Sequence, residues 1–175
     1  DPKSGKCAVV LPQGVLFHGG KEGKMREQLV ESDMLECVIT LVSGVFYSTG
    51  VSACIIFLNN KKSVDHRGRV CLIDASSIYT PQRAQNIMTD DDIQRVYNLY
   101  QAYDNKIDYS RVVTKADIRK VGYTLAVGTY IEKTKQEITP PAEVRKQYYE
   151  AIQSVCESEA ILKKLLAKGG YINEQ

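Results

Sequence analysis

Two short loops hold the residues of this chain whose chemistry stands out. The first carries Gly14, Phe17, His18, Gly19, Gly20, Lys21 and Lys24, and the second carries Ser43, Gly44, Phe46, Tyr47, Ser48, Thr49 and Gly50. Small residues beside adjacent aromatics and hydroxyls can admit a planar ring, because an aromatic face stacks on a nucleobase with ~1–3 kcal/mol. A base extruded from its stack would suit such a rim. Each of these residues also has a plainer role. Phe46 or Tyr47 could close a core beneath a turn. Gly19-Gly20 ahead of a helix could expose N–H groups to phosphate, although a lone Gly-Gly is usually only a turn. His18 has no Ser, Cys or carboxylate partner near it, so it reads as a rim side chain and not as a base.

Other chargeable groups point to structure. The cluster Lys61, Lys62, Arg67 and Arg69 reads as a solvated hairpin face, with contact to a DNA backbone the minority role. Asp90-Asp91-Asp92 fits a helix N-terminus, where the macrodipole favours negative charge. His18 and His66 lie far apart without carboxylates at ligand spacing. The five cysteines show no C-x-x-C pair, so no metal is expected. Four of them sit in apolar stretches and read as buried free thiols of a reducing cytosol.

The elements that must position the two loops are strands. Lys6–Leu11 is a short apolar run ended by Pro12-Gln13-Gly14, the pattern of a strand buried on both faces. A polar stretch from Lys21 to Asp33, with Met25 and Leu29 one turn apart, predicts a short amphipathic helix. Leu35–Leu41 predicts a second buried strand, and the three pieces together predict a βαβ unit with a parallel pair. Val51–Leu58 and Arg69–Asp74 follow as short returns. They suggest antiparallel strands at one side of a mixed sheet. Ligands bind outside the carboxyl ends of parallel strands in open α/β sheets, which places the loops after Leu11 and Leu41 on one functional rim.

Further along, Thr89 and Asp92 form a cap signal before a helix with Ile93, Val96, Tyr97 and Tyr100 on one face. Thr114 and Asp117 open a shorter helix that Gly122 ends. Thr139-Pro140-Pro141 starts a long helix that Gly169-Gly170 stops. Its stripe of Val144, Tyr148, Ile152, Val155, Leu162 and Leu166 is interrupted at Glu159. At 1.5 Å per residue this helix is ~40 Å long, more than a small sheet domain covers, so part of its apolar face is expected to meet another surface.

Composition bounds the classes open to the chain. Its 175 residues, 43% hydrophobic and 25% charged, have the balance of a globular protein of one domain or slightly more. No apolar run reaches the roughly 18–20 residues of a membrane helix, and a soluble, cytoplasmic protein is expected. A net charge of +2 is weak for a protein that grips DNA by itself, so a nucleic-acid role must rest on local clusters. The chain opens on Asp1-Pro2-Lys3 without an initiator Met, which reads as a processing boundary.

The ordered segments resemble a known family. These are Val10–Gly20, Arg26-Glu-Gln-Leu29, Val38–Val51, Cys54–Asn59, Val70–Ser76, Arg83-Ala-Gln-Asn86 with Thr89, Tyr123–Tyr130, and Gln147–Ala151 with Leu165 and Gly169–Tyr171. In that order they are similar to the DNA adenine-N6 methyltransferase (modification) subunits of type I restriction-modification systems. The resemblance covers nearly the whole chain. It implies an S-adenosylmethionine-dependent Rossmann-like α/β fold in which the Gly14 loop and the Phe46 loop border the target adenine. It also implies that Phe46 stacks on the extruded base. The family's cofactor-binding glycine motif and its Asn/Asp-Pro-Pro-Phe/Tyr tetrapeptide stand upstream of this region and do not occur here. Catalytic and cofactor-binding residues are therefore expected outside this chain. Val42 stands where the family usually has Pro, and His18 where it usually has a basic Arg.

The expectation is a C-terminal part of a methyltransferase mixed sheet over residues 1–132, followed by a helical, subunit-assembly extension over residues 138–170. The target-base and DNA-facing residues are Gly14, His18, Gly19, Lys21, Phe46, Tyr47, Ser48 and Thr49. The resemblance implies duplex DNA, a DNA-specificity subunit and a restriction subunit as partners, with no membrane. Two other functions stay open: an assembly module that holds the specificity subunit, and an unrelated nucleotide-binding α/β protein.

Overall fold

The computed structural model describes residues 4–46, 50–82, 85–134 and 141–171. Its elements are β1 (Lys6–Pro12), α1 (Gly20–Glu31), β2 (Leu35–Leu41), β3 (Ala53–Asn59), β4 (Arg69–Ala75), β5 (Thr80–Pro81), β6 (Asn86–Ile87), α2 (Asp90–Ala102), β7 (Ser110–Thr114), α3 (Lys115–Lys120) and α4 (Pro141–Lys168). By contact the chain divides into residues 1–134 and 135–175, the second unit containing α4.

A five-stranded mixed sheet, ordered β1-β3-β2-β4-β7, organises the first unit. β3 is antiparallel to both β1 and β2, β2 is parallel to β4, and β7 is antiparallel to β4. This corrects the pairing expected from sequence. β1 and β2 run in the same direction, but β3 is inserted between them, and the hydrogen-bonded parallel pair is β2 with β4. The antiparallel returns are not gathered at one side. The chain turns back after β2 and fills the gap that the crossover through α1 leaves open.

β2 is covered on both faces and all seven of its residues are buried. Val38 faces a cluster with Leu16, Val30, Leu72, Ile118 and Leu125, while Cys37 and Ile39 face one with Ile73, Ile78, Val96 and Leu99. The alternation of a strand sends successive side chains to opposite layers, so an unbroken apolar run needs both. β1 has the same kind of sequence without the same cover. Six of its seven residues are exposed, and Val10 retains 52% of its accessible surface. The expectation that β1 is buried on both faces is thus corrected. Among the described residues β1 is an edge strand, paired with β3 alone.

The capping signals work as read. Thr89 and Asp92 form a reciprocal capping box on α2, and Thr114 and Asp117 form another on α3. The buried faces of two helices are rotated from the expected ones. On α2, Val96 and Leu99 are buried, whereas Ile93 and Tyr97 are exposed. On α1, Arg26 and Val30 are buried, whereas Met25 is exposed.

At the amino ends of β2 and β4, polar groups are buried in pairs. Lys62 donates to Asp33 at 2.8 Å and to the Arg69 carbonyl at 2.8 Å, its side chain only 2% exposed, so it does not belong to a solvated hairpin face. His66 does have a carboxylate neighbour: its Nδ1 lies 3.3 Å from Glu36 Oε1, and its ring stacks on Tyr103. Tyr100 donates to the same Glu36, and burial first, then the Glu36 charge, pushes its phenol up to about 12. Of the cysteines, Cys37, Cys54 and Cys71 are buried, but Cys7 and Cys156 are exposed.

Candidate functional site

β1, β2 and β4 end at the same edge of the sheet, and the loops that follow Pro12, Leu41 and Ala75 form a rim there. The first loop begins with a 3-10 turn over Gln13–Leu16 whose anchor is the fully buried Leu16. Gly14 accepts from the backbone N–H groups of Phe17 and His18 at 3.1 and 3.0 Å. A Cβ at Gly14 would lie 2.7 Å from His18 Cε1, so only glycine lets the imidazole fold back over the turn.

Arg26 fixes this loop from α1. Its Nη1 donates to the Val15 carbonyl at 2.7 Å and its Nε to the Tyr123 carbonyl at 3.0 Å. Burial lowers the pKa of the guanidinium and the Glu22 charge opposes that shift. His18 lies 3.3 Å from Glu22 Oε2, one helical turn away, which corrects the expectation that it has no carboxylate near it. Gly19 caps α1, and Gly20 adopts φ +67°. Lys21 follows, exposed, in the first turn of the helix.

The second loop turns at Gly44, whose φ of +73° favours glycine. Asn86 grips this turn. Its Nδ2 donates to the Ser43 carbonyl at 2.8 Å, and its backbone N–H donates to the Gly44 carbonyl at 3.1 Å. Phe46 follows, 43% exposed, and with Val10, Leu11, Pro12, Val51 and Ala53 it lines an apolar concavity of about 340 Å³. Tyr47, Ser48 and Thr49 lie outside the described residues. The structure therefore brings Phe46 together with the carboxyl end of β1. Gly14 and His18 sit together in the neighbouring loop, and Gly19 and Lys21 lie at the start of α1.

A second, polar concavity of about 300 Å³ opens at the carboxyl ends of β2 and β4, lined by Gln13, Thr40, Ser43, Asp74, Ser76 and Gly128 among others. Asp74 Oδ1 accepts from Thr40 Oγ1 at 3.3 Å and from Ser76 N–H at 2.9 Å, and its Oδ2 accepts from Lys133 Nζ. Burial pushes the Asp74 carboxyl up, but the hydrogen bonds from Lys133 and Ser76 together outweigh it and hold the group below the usual carboxylate range. Asp74 and Lys133 were not singled out by the sequence reading. In the sequence Asp74 stands at the end of an apolar run and within the Val70–Ser76 segment of the family resemblance, with no sign of its partner Lys133.

Neither concavity fits S-adenosylmethionine. The first is an open shelf without a charged group for the amino-acid end of that molecule, and the carboxylate of the second is already engaged by Lys133.

Comparison with known proteins gives a consistent family. The model described as N-6 DNA Methylase matches residues 2–138. The type I restriction enzyme MjaVII methylase subunit of Methanocaldococcus jannaschii is 28% identical over 95% of this chain and 29% of its own length. The type I restriction enzyme HindI methylase subunit of Haemophilus influenzae is 30% identical over 96% of this chain and 41% of its own length. Among solved structures, the methyltransferase subunit of a type I restriction-modification system from Streptococcus thermophilus matches with a TM-score of 0.68 at 31% identity, over 73% of this chain and 27% of that one. The chain thus spans less than half the length of these relatives.

Proposed function

The chain belongs to the N-6 DNA methylase family, and we propose that it supplies the target-base side of a DNA adenine-N6 methyltransferase, the modification subunit of a type I restriction-modification system. The observation that carries this reading is the placement of Phe46. A half-exposed aromatic stands on the turn after β2 and forms one wall of an apolar concavity at the carboxyl end of β1. A planar base drawn out of duplex DNA would find there a stacking face and aliphatic neighbours. Gly14, His18, Gly19 and Lys21 would face the DNA from the adjoining loop, and Tyr47, Ser48 and Thr49 are proposed as further target-base or DNA contacts. Lys21 would add positive charge at a helix N-terminus, where phosphate is favoured. S-adenosylmethionine supplies the methyl group in this chemistry, and the residues that hold it belong, in this reading, to the part of the enzyme outside this chain.

The exposed edge of β1 supports the same reading. A strand of Cys7, Ala8, Val9, Val10 and Leu11 whose outer edge has no strand partner among the described residues is the point at which further strands would extend the sheet. The test is Phe46→Ala in the complete enzyme, with methylation rate and DNA affinity measured on the same duplex. Turnover is expected to fall by about 5- to 150-fold, the factor that corresponds to a lost stacking contact, and DNA affinity to fall less. Unchanged turnover in a folded variant would mean that Phe46 does not stack on the target base.

A second reading rests on α4. Val144, Tyr148, Ile152, Val155, Ile161, Leu162 and Leu165 are all exposed along it. A helix of this composition persists by burying an apolar face. Assembly with the DNA-specificity subunit would supply that burial, and it is compatible with the first reading. The restriction subunit would join the same complex.

A further inference from the structure

We propose that Asn86 is a positioning residue for base stacking, acting through the Gly44 turn to hold Phe46 in place; this rests on the reading of Phe46 given above. Three observations converge on it. Asn86 makes two hydrogen bonds to consecutive carbonyls of the turn, one from its side chain to Ser43 and one from its backbone to Gly44. The turn is built on Gly44, whose left-handed conformation glycine adopts freely but also leaves easily, and Phe46 follows two residues later with 43% of its surface exposed. Packing therefore covers only part of the ring, and the conformation of the turn helps to set where it sits.

The support is itself anchored. Asn86 lies on β6, which pairs with β5, and Thr80 on β5 donates to Asp92 Oδ2 at 3.2 Å. Asp92 is the carboxylate that closes the capping box of α2, and α2 packs on β4 through Val96 and Leu99. Hydrogen bonds and strand pairing thus link the start of α2, which packs on the sheet, to the turn that presents Phe46. At the start of the same loop, Thr40 donates to Asp74 and to the Ile73 carbonyl, which fixes the end of β2. The loop is held at its origin by Asp74 and at its turn by Asn86. A small misplacement of a group that orients a reacting base costs far more in rate than in binding.

The experiment is a double-mutant cycle in the complete enzyme. Asn86→Asp keeps the shape of the side chain but sets a carboxylate against the Ser43 carbonyl, and Asn86→Ala removes the donor without adding charge. Either variant should lower the methylation rate by about 10- to 100-fold with DNA affinity changed by less than about twofold. In a Phe46→Ala background the same substitutions should cost less than about twofold, because the group they position is gone. A rate unaffected by both substitutions, or an equal loss with and without Phe46, would overturn the proposal. If Phe46→Ala alone loses nothing, the stacking reading fails and takes this proposal with it. That result is distinct from a failure at Asn86 alone, in which Phe46→Ala still slows turnover. Because a merely structural role would lower affinity and rate together, the split between them identifies positioning.

Discussion

β1 and β2 are both seven-residue strands with apolar runs, yet every residue of β2 is buried and nearly every residue of β1 is exposed. The difference lies in their neighbours. β2 has β3 and β4 on its edges and side chains from helices and loops over both faces, whereas β1, among the described residues, has β3 on one edge only. A run of this kind reports how much cover a strand will have in its finished setting and says nothing about which polypeptide provides it. Within this chain β1 is an incomplete surface, and in the proposed enzyme its outer edge is an internal seam.

The largest consequence of that seam is catalytic. This chain alone is expected to transfer no methyl group from labelled S-adenosylmethionine to DNA and to bind the donor without measurable affinity by calorimetry. Robust transfer by the pure chain would mean that a full catalytic site lies on this side of the seam. Stability should follow the same division. Leu35→Ala in β2 removes a fully buried side chain and should cost about 2–5 kcal/mol, whereas Val10→Ala in β1 should cost about 1 kcal/mol or less in the isolated chain. Urea denaturation of both variants checks the pair, and equal losses would erase the distinction between the strands.

How much of this was legible in the sequence depended on the range of the interactions involved. The capping boxes at Thr89 and Thr114 were legible because cap and partner stand three residues apart. The limits of α4, from Pro141 to just before Gly169, followed from local backbone chemistry in the same way. The insertion of β3 between β1 and β2 was not legible, since hydrophobic runs do not specify pairing order. The buried face of α1 differs from the Met25 and Leu29 face that the spacing predicts, because a charged residue, Arg26, is buried there. Its burial is satisfied by carbonyls at Val15 and Tyr123, the second 97 residues away. The site divides similarly. The two rim loops could be placed from the strands they follow, but Asn86 gripping Ser43 and Lys133 reaching Asp74 depend on contacts 43 and 59 residues apart.

α4 sharpens the contrast from the other end of the chain, since its apolar residues are exposed as those of β1 are. Ile152→Asp with Leu162→Asp places two carboxylates on that face, and each carries a desolvation cost in any apolar interface. In the full-length subunit, co-purification with the specificity subunit should be lost while the melting temperature stays within about 2 °C, because most surface substitutions change stability by less than about 0.5 kcal/mol. Retained co-purification with a lowered melting temperature would instead assign the helix to the subunit's own core.

The smallest expected effect probes the covered side of the comparison, where β4 ends at Asp74. Its carboxyl is held below the usual carboxylate value in the folded chain: burial acts against this, and the hydrogen bonds from Lys133 and Ser76 prevail. A depressed folded-state pKa makes a stabilising contribution that is fully present above the unfolded value of about 3.9 and is lost as pH falls through the lower, folded value. Asp74→Asn should therefore cost about 1 kcal/mol at pH 7, a modest figure because Lys133 is half exposed and solvent screens the pair. The gap between the two proteins should narrow as the pH drops below about 4. Denaturation midpoints measured from pH 7 to pH 3 test this directly. A gap that stays constant across that range would show that Asp74 acts through packing and neutral hydrogen bonds, and that its charge contributes nothing at the end of the buried sheet.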